Sequence, residues 1–127
     1  MFIDHVAIYV NDLEPAKDFF IKYFSAVSGE IYRNEKTGFS SYFLGFENGA
    51  KLEIMNRPEI EKTEKPLYKS GYAHLAFSLG SKNAVDELTE RFKAEGFEIL
   101  SGPRTTGDGY YESAVIGFEG NIIEITV

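Results

Sequence analysis

The chain has no cysteine, no tryptophan, only two histidines and only four prolines in 127 residues. The lack of cysteine excludes disulfides, thiolate metal ligands and a cysteine nucleophile. No apolar run approaches membrane-spanning length, and no basic stretch leads into an apolar one near residue 1, so a cytoplasmic protein with no membrane partner is expected. Positive charge is also scarce: 13 Lys and Arg stand against 20 Asp and Glu, for a net charge of −7. That balance disfavours nucleic acid, whose binding depends on neutralising phosphates. With 43% hydrophobic and 26% charged residues, the chain reads as one folded domain over residues 1–127.

What is present is a repetition. The two histidines open matched alternating segments, Asp4-His5-Val6-Ala7-Ile8-Tyr9-Val10 and Ala73-His74-Leu75-Ala76-Phe77-Ser78-Leu79. A second matched pair follows, Lys51-Leu52-Glu53-Ile54-Met55 and Ile122-Ile123-Glu124-Ile125-Thr126. Glu53 lies 48 residues after His5, and Glu124 lies 50 after His74. Two like halves, each with one His and one Glu at corresponding places, define module 1 (1–56) and module 2 (72–127), joined by a charged linker over 57–71.

Each module reads as strand, helix and three strands, an α+β arrangement. In module 1 the alternation over 3–10 predicts a strand. Asn11 or Asp12 can cap the helix that follows, Pro15 suits its first turn, and Ala16, Phe19, Phe20, Tyr23 and Phe24 recur at helical spacing as a core stripe. Strands are predicted over 30–34, 40–46 and 50–55, with turns at Thr37-Gly38 and Glu47-Asn48-Gly49. In module 2 the strand over 72–79 precedes a helix from Ser81, with Val85, Leu88 and Phe92 on one face and Gly96 as its stop. Strands over 97–101, 110–117 and 121–127 complete it. Modules this small are expected to join their sheets into one curved mixed sheet around a cleft, with the helices on the outer face.

Strand parity assigns the faces. Leu52, Ile54, Ile123 and Ile125 belong against the helices, which leaves His5, Glu53, His74 and Glu124 on the opposite faces. A histidine or glutamate on such a face is commonplace when single. Repeated in both halves, the four make a set of two imidazoles and two carboxylates suited to a divalent ion such as Zn, Ni, Co, Mn or Fe.

The two-module plan, with His5-Val6-Ala7, Leu52-Glu53-Ile54-Met55, Ala73-His74-Leu75-Ala76-Phe77 and Asn121-Ile122-Ile123-Glu124-Ile125-Thr126, resembles the vicinal oxygen chelate (glyoxalase/bleomycin resistance/dioxygenase) superfamily. Its His, Glu, His, Glu order is similar to that of glyoxalase I, lactoylglutathione lyase. The resemblance spans essentially the whole chain and implies that His5, Glu53, His74 and Glu124 are ligands to one divalent metal. It implies an enzyme acting on a hemithioacetal of a 2-oxoaldehyde and a small thiol through a metal-bound enediolate. Glu124 is then the first choice of base, with Glu53 nearly equivalent. Relatives also include epimerases using the same enolate chemistry and non-enzymatic antibiotic-binding proteins, which stand as alternatives, and assembly as a homodimer is expected by the same resemblance. Tyr9 stands where glutathione-using members often carry arginine, and Gly117-Phe118-Glu119-Gly120-Asn121 departs from the usual turn before the last strand. Substrate contacts are expected from Tyr9, Tyr42, Met55, Arg57, Arg104, Tyr110 and Tyr111. The run Thr106-Gly107-Asp108-Gly109, with its two glycines, is expected to form a mobile loop beside them.

Overall fold

The computed structural model describes residues 1–127, which divide into two compact units, Met1–Thr63 and Glu64–Val127. Each unit holds one module of the repeat, and each is taken in turn.

In module 1, β1 (His5–Tyr9) is followed by α1 (Leu13–Phe24), then β2 (Val27–Ser28), β3 (Tyr32–Asn34), β4 (Phe39–Gly45) and β5 (Lys51–Asn56). The sheet runs β1-β5-β4-β2, with β3 also paired to β4. Strand β1 is parallel to β5 and the remaining pairs are antiparallel. Parallel strands cannot be joined by a tight turn, and the intervening chain with α1 supplies the crossover. Asp12 occupies the N-cap in extended backbone, though its side chain makes no capping bond. Ala16, Phe19 and Phe20 of α1 are buried with Leu44, Leu52 and Ile54 of the sheet. The expected aromatic stripe is therefore core on its Phe19 and Phe20 edge.

Module 2 runs β6 (His74–Ser78), α2 (Lys82–Ala94), β7 (Glu98–Thr105), β8 (Tyr111–Ile116) and β9 (Ile122–Thr126), with a 3-10 turn over Phe118–Gly120. The order is β6-β9-β8-β7, again with the first strand parallel to the last. Ser81 caps α2, its hydroxyl accepting from the Ala84 N–H at 3.2 Å, which satisfies one of the unpaired donors of the first turn. Gly96 follows the helix with φ +88°, where a side chain would be strained. Val85 and Phe92 are fully buried with Val115, Ile123 and Ile125.

A tyrosine ties helix to sheet in both modules. The Tyr42 hydroxyl donates to Glu14 at 2.6 Å, and that of Tyr111 donates to Asp86 at 2.6 Å. A lysine lies over each ring, Lys17 at 4.8 Å from the Tyr42 centroid and Lys82 at 5.0 Å from that of Tyr111. The repeat thus extends to a Tyr, carboxylate and Lys cluster that the sequence pattern did not single out.

Three expectations change. Hydrogen bonding forms two sheets, one per module, rather than one joined curved sheet, because β1 and β6 each pair with a single strand of their own module. The predicted strand over 30–34 begins at Tyr32, and a short β2 precedes it. Strand β7 continues past the predicted end at 101 to Thr105, passing Gly102-Pro103 by register shifts against β8.

Gly102 allows that passage. Its φ is +84°, and an added Cβ would lie 2.4 Å from the Glu112 carbonyl oxygen and 2.8 Å from the Ser113 Cα. These are backbone atoms in a ladder and cannot swing aside. Gly102→Ala is therefore expected to cost at least about 1–3 kcal/mol, the cost of backbone strain of this kind. Urea denaturation checks it, and an unshifted midpoint would contradict the account.

Candidate functional site

The alternation of β1 and β5 places His5 and Glu53 on the sheet face opposite α1. His5 pairs in register with Lys51, and Ala7 with Glu53, so the His and Glu are diagonal neighbours on adjacent strands. His5 Nε2 lies 4.0 Å from Glu53 Oε2. The other ring nitrogen, Nδ1, is 2.9 Å from Asp4 Oδ2. An Nδ1–H donated to Asp4 leaves the Nε2 lone pair on the Glu53 side, the arrangement by which a carboxylate orients a ligating imidazole. The His5 ring also meets Phe43 edge-on, with centroids 5.3 Å apart.

Module 2 repeats the pair. His74 pairs with Ile122 and Ala76 with Glu124, which gives the same diagonal. His74 Nε2 lies 3.6 Å from Glu124 Oε2. Both glutamates are largely covered, at 14% and 20% side-chain exposure, while the histidines are near 40%. A carboxylate so covered needs a cationic partner or hydrogen bonds to offset lost hydration.

These pairs fit a divalent ion by donor chemistry and by distance. Nitrogen and oxygen bound to one ion at about 2.1 Å each sit roughly 3.0–3.5 Å apart, so closing either pair onto a common ion needs the two atoms to approach by at most about 1 Å. Neither module alone gathers three or more such side chains into a ready cluster. Each module presents two such side chains, one His and one Glu.

The surroundings of the two pairs differ, and here a residue enters that the sequence reading missed. Glu112 on β8 pairs with Thr126 and so shares the face of Glu124. Burial, and then the charge of Glu124, raise the Glu112 carboxyl above its ordinary 4.5. Arg104, opposite it on β7, acts the other way, its Nη2 3.6 Å from Glu112 Oε1. In module 1 the corresponding position is Ser41, opposite Met55. The signal in the sequence is parity with Ala114, which puts Glu112 on the open face of β8. Because the folded-state value is raised, Glu112 holds its proton more tightly folded than unfolded. Its contribution to stability is fully present below 4.5 and is lost as pH rises through the raised value. Glu112→Gln is therefore expected to gain stability relative to the parent as pH rises across that window. Urea titrations of metal-free protein check it, and a difference of the opposite slope would contradict the assignment.

The expected substrate contacts divide. Tyr42 and Tyr111 lie on the helix side, sharing parity with Leu44 and with Ser113 and Val115, and their hydroxyls donate to Glu14 and Asp86. Tyr9 and Met55 are on the Glu53 face by parity with Ala7 and Glu53. Arg57 follows β5 and is held by Glu59 at 2.9 Å, with the Tyr9 hydroxyl also raising its pKa. Tyr110 is 58% exposed, in a hydrogen-bonded turn where Thr106 N donates to Tyr110 O at 2.8 Å. Arg104 lies on the open face beside Glu112.

Two βαβββ-type modules, each showing a His and a Glu on the face away from its helix, define the class to which this fold and site belong. Residues 2–125 match the family model described as the Glyoxalase/Bleomycin resistance protein/Dioxygenase superfamily, and the chain belongs to that superfamily. The uncharacterized protein YqjT of Bacillus subtilis (strain 168) is 29% identical over 114 residues, 84% of each chain. Among solved structures, the trypanothione-dependent glyoxalase I of Leishmania major superposes with TM-score 0.78 at 18% identity, covering 99% of this chain and 86% of that one. The fosfomycin resistance protein FosX of Listeria monocytogenes, solved with Mn(II) and sulfate, gives TM-score 0.69 at 22% identity over 98% and 90%. At these identities the structural likeness speaks for the fold. No helix of the chain is long and apolar enough to cross a membrane.

Proposed function

We propose that the protein is a divalent-metal-dependent lyase or isomerase of the glyoxalase I kind, acting on a hemithioacetal of a 2-oxoaldehyde and a small thiol. The observation that carries this reading is the duplicated pair: His5 with Glu53 at 4.0 Å and His74 with Glu124 at 3.6 Å, each on the open face of its module. These four residues hold the ion, Zn, Ni, Co, Mn or Fe by donor type. When bound, the ion supplies Lewis acidity toward the two vicinal substrate oxygens. FosX, of the same fold, was solved with Mn(II), which supports the metal part of the reading.

The remaining work falls to side chains. Glu124 takes the proton from the carbon that bears sulfur and returns it to the neighbouring carbonyl carbon, through an oxygen not engaged in ligation. The net change is an isomerisation to a 2-hydroxyacyl thioester, so no oxidant or reductant enters. Glu53 holds the corresponding place in module 1. Asp4 fixes the His5 tautomer so that its Nε2 is available. Tyr9, Met55, Arg57 and Tyr110 supply contacts around the substrate.

The test is turnover of methylglyoxal hemithioacetals of glutathione and other small thiols, with each metal restored in turn to stripped protein. Thioester formation with at least one thiol and metal is expected. Failure with every combination would overturn the lyase reading and favour a protein that binds its ligand without converting it.

A further inference from the structure

The charged linker makes one attachment that a plain connection does not need. Lys65 Nζ donates to the Glu119 carbonyl oxygen at 2.7 Å. Glu119 belongs to the 3-10 turn that leads into β9, the strand of Glu124. The chain is thus fixed to module 2 before it reaches β6, and the segment over 66–73 is held at both ends, by Lys65 on the turn and by His74 in the sheet.

Both anchors lie at the same end of the sheet. Strands β6 and β9 are parallel, with His74 opposite Ile122, and Glu119 is three residues before Ile122. The eight residues over 66–73 can extend over roughly 26 Å, whereas neighbouring strands lie about 4.8 Å apart. The segment is longer than its anchors require.

That slack is left in solvent. Every residue over 61–74 is exposed, and Tyr68 and Tyr72 stand at 97% and 102% of full exposure. Two phenol rings wholly in water are apolar surface that a contact would bury with gain. The loop over 106–110, by contrast, is closed on itself: Thr106 N donates to Tyr110 O at 2.8 Å, and Tyr110 N donates to the Thr106 hydroxyl at 3.0 Å.

A pivot separates the slack from β6. Gly71 has φ +115°, where side chains are strained, and no heavy atom lies within 4 Å of the place a Cβ would take. Rotation there swings 66–70 against the strand that carries His74. In module 1, His5 follows Met1-Phe2-Ile3-Asp4, with no second anchor of this kind.

We propose that 66–70 is a strap that closes over a ligand held at His74 and Glu124, turning at Gly71, tethered by Lys65 and carrying the Tyr68 ring onto the ligand. Ordering the segment costs conformational entropy, so it stays open until a ligand offers the ring a surface. Closed, it excludes water from the ligand and slows its escape. The inference rests on the reading given above for where the ligand sits, and not on the reaction.

Limited trypsin digestion tests it in metal-loaded protein. Arg57 and Lys65 each precede proline, a bond that trypsin does not cut, so its linker sites are Lys62 and Lys69. The probes are benzohydroxamate, which offers vicinal oxygens to a metal, and the lactoyl thioester of glutathione. At least one should slow cleavage after Lys69 by about tenfold while cleavage after Lys62 changes less than about twofold, since cleavage follows the population of the open form. The protection should vanish in Tyr68→Ala and persist in Tyr68→Phe, and thermal melting confirms that both variants are folded. Cleavage after Lys69 unchanged by either probe, or protection undiminished in folded Tyr68→Ala, would overturn the inference. Turnover of hemithioacetals alongside that result would leave the lyase reading in place, whereas protection without turnover of any hemithioacetal would keep the strap and remove the lyase.

Discussion

Glu124→Gln is expected to lower kcat/KM by about 10²- to 10⁴-fold, the contribution typical of a positioned general base. Glutamine keeps the size and one oxygen of the side chain but cannot accept a substrate proton. The fold should survive, because Glu124 faces away from the buried Ile123 and Ile125 that hold β9 to α2. Two readouts separate its proposed roles. A metal content near that of the parent with kcat collapsed identifies a base, whereas loss of the metal identifies a ligand whose removal empties the site. Glu53→Gln, its counterpart in module 1, gives the comparison. Activity retained within about twofold in Glu124→Gln would remove the carboxylate from the chemistry.

The second large effect concerns the core on which the site rests. Phe92 is completely buried at the α2–sheet boundary of module 2, its ring 5.2 Å from that of Phe97. Truncation to alanine removes most of the ring's contacts and leaves a cavity that the surrounding helix and ladder cannot fill without distortion. A loss of about 3–5 kcal/mol is expected, a large share of the total stability of a domain of this size. Urea denaturation followed by far-UV circular dichroism measures it. Phe20→Ala is the matching change in module 1, where Phe20 is 1% exposed. A loss below about 1 kcal/mol in either variant would mean that these rings are not the core.

Much of this arrangement was legible in the sequence because a strand alternates with period two. Leu52 and Ile54, or Ile123 and Ile125, can be inward only if Glu53 and Glu124 are outward, and the structure gives the same division of exposure. The helices were legible from the spacing of Phe19 and Phe20 and of Val85 and Phe92. The tyrosines show the limit of reading by residue type. Tyr42 shares parity with buried Leu44, and its hydroxyl reaches Glu14 on the helix, so an amphipathic side chain served as a tether. Along β4 and β8 the same parity turns Tyr42 and Tyr111 inward and brings Glu112 out. The length of β7 was hidden for a different reason. Gly102-Pro103 reads as a turn, yet here it is a bulge, which depends on close approach to a neighbouring strand that no local pattern records. Pairing within each module, rather than into one sheet, is likewise a tertiary choice that alternation leaves open.

Metal stoichiometry tests the central claim most directly. Protein stripped with chelator is dialysed against one divalent ion, and bound metal per chain is measured for the parent, His5→Ala and His74→Ala. One ion per chain in the parent, lost or weakened by at least about tenfold in either variant, is the result expected if the pair in each module supplies half of a single four-donor site. Two ions per chain, each removed only by the change in its own module, or no bound ion in the parent with any metal, would contradict it.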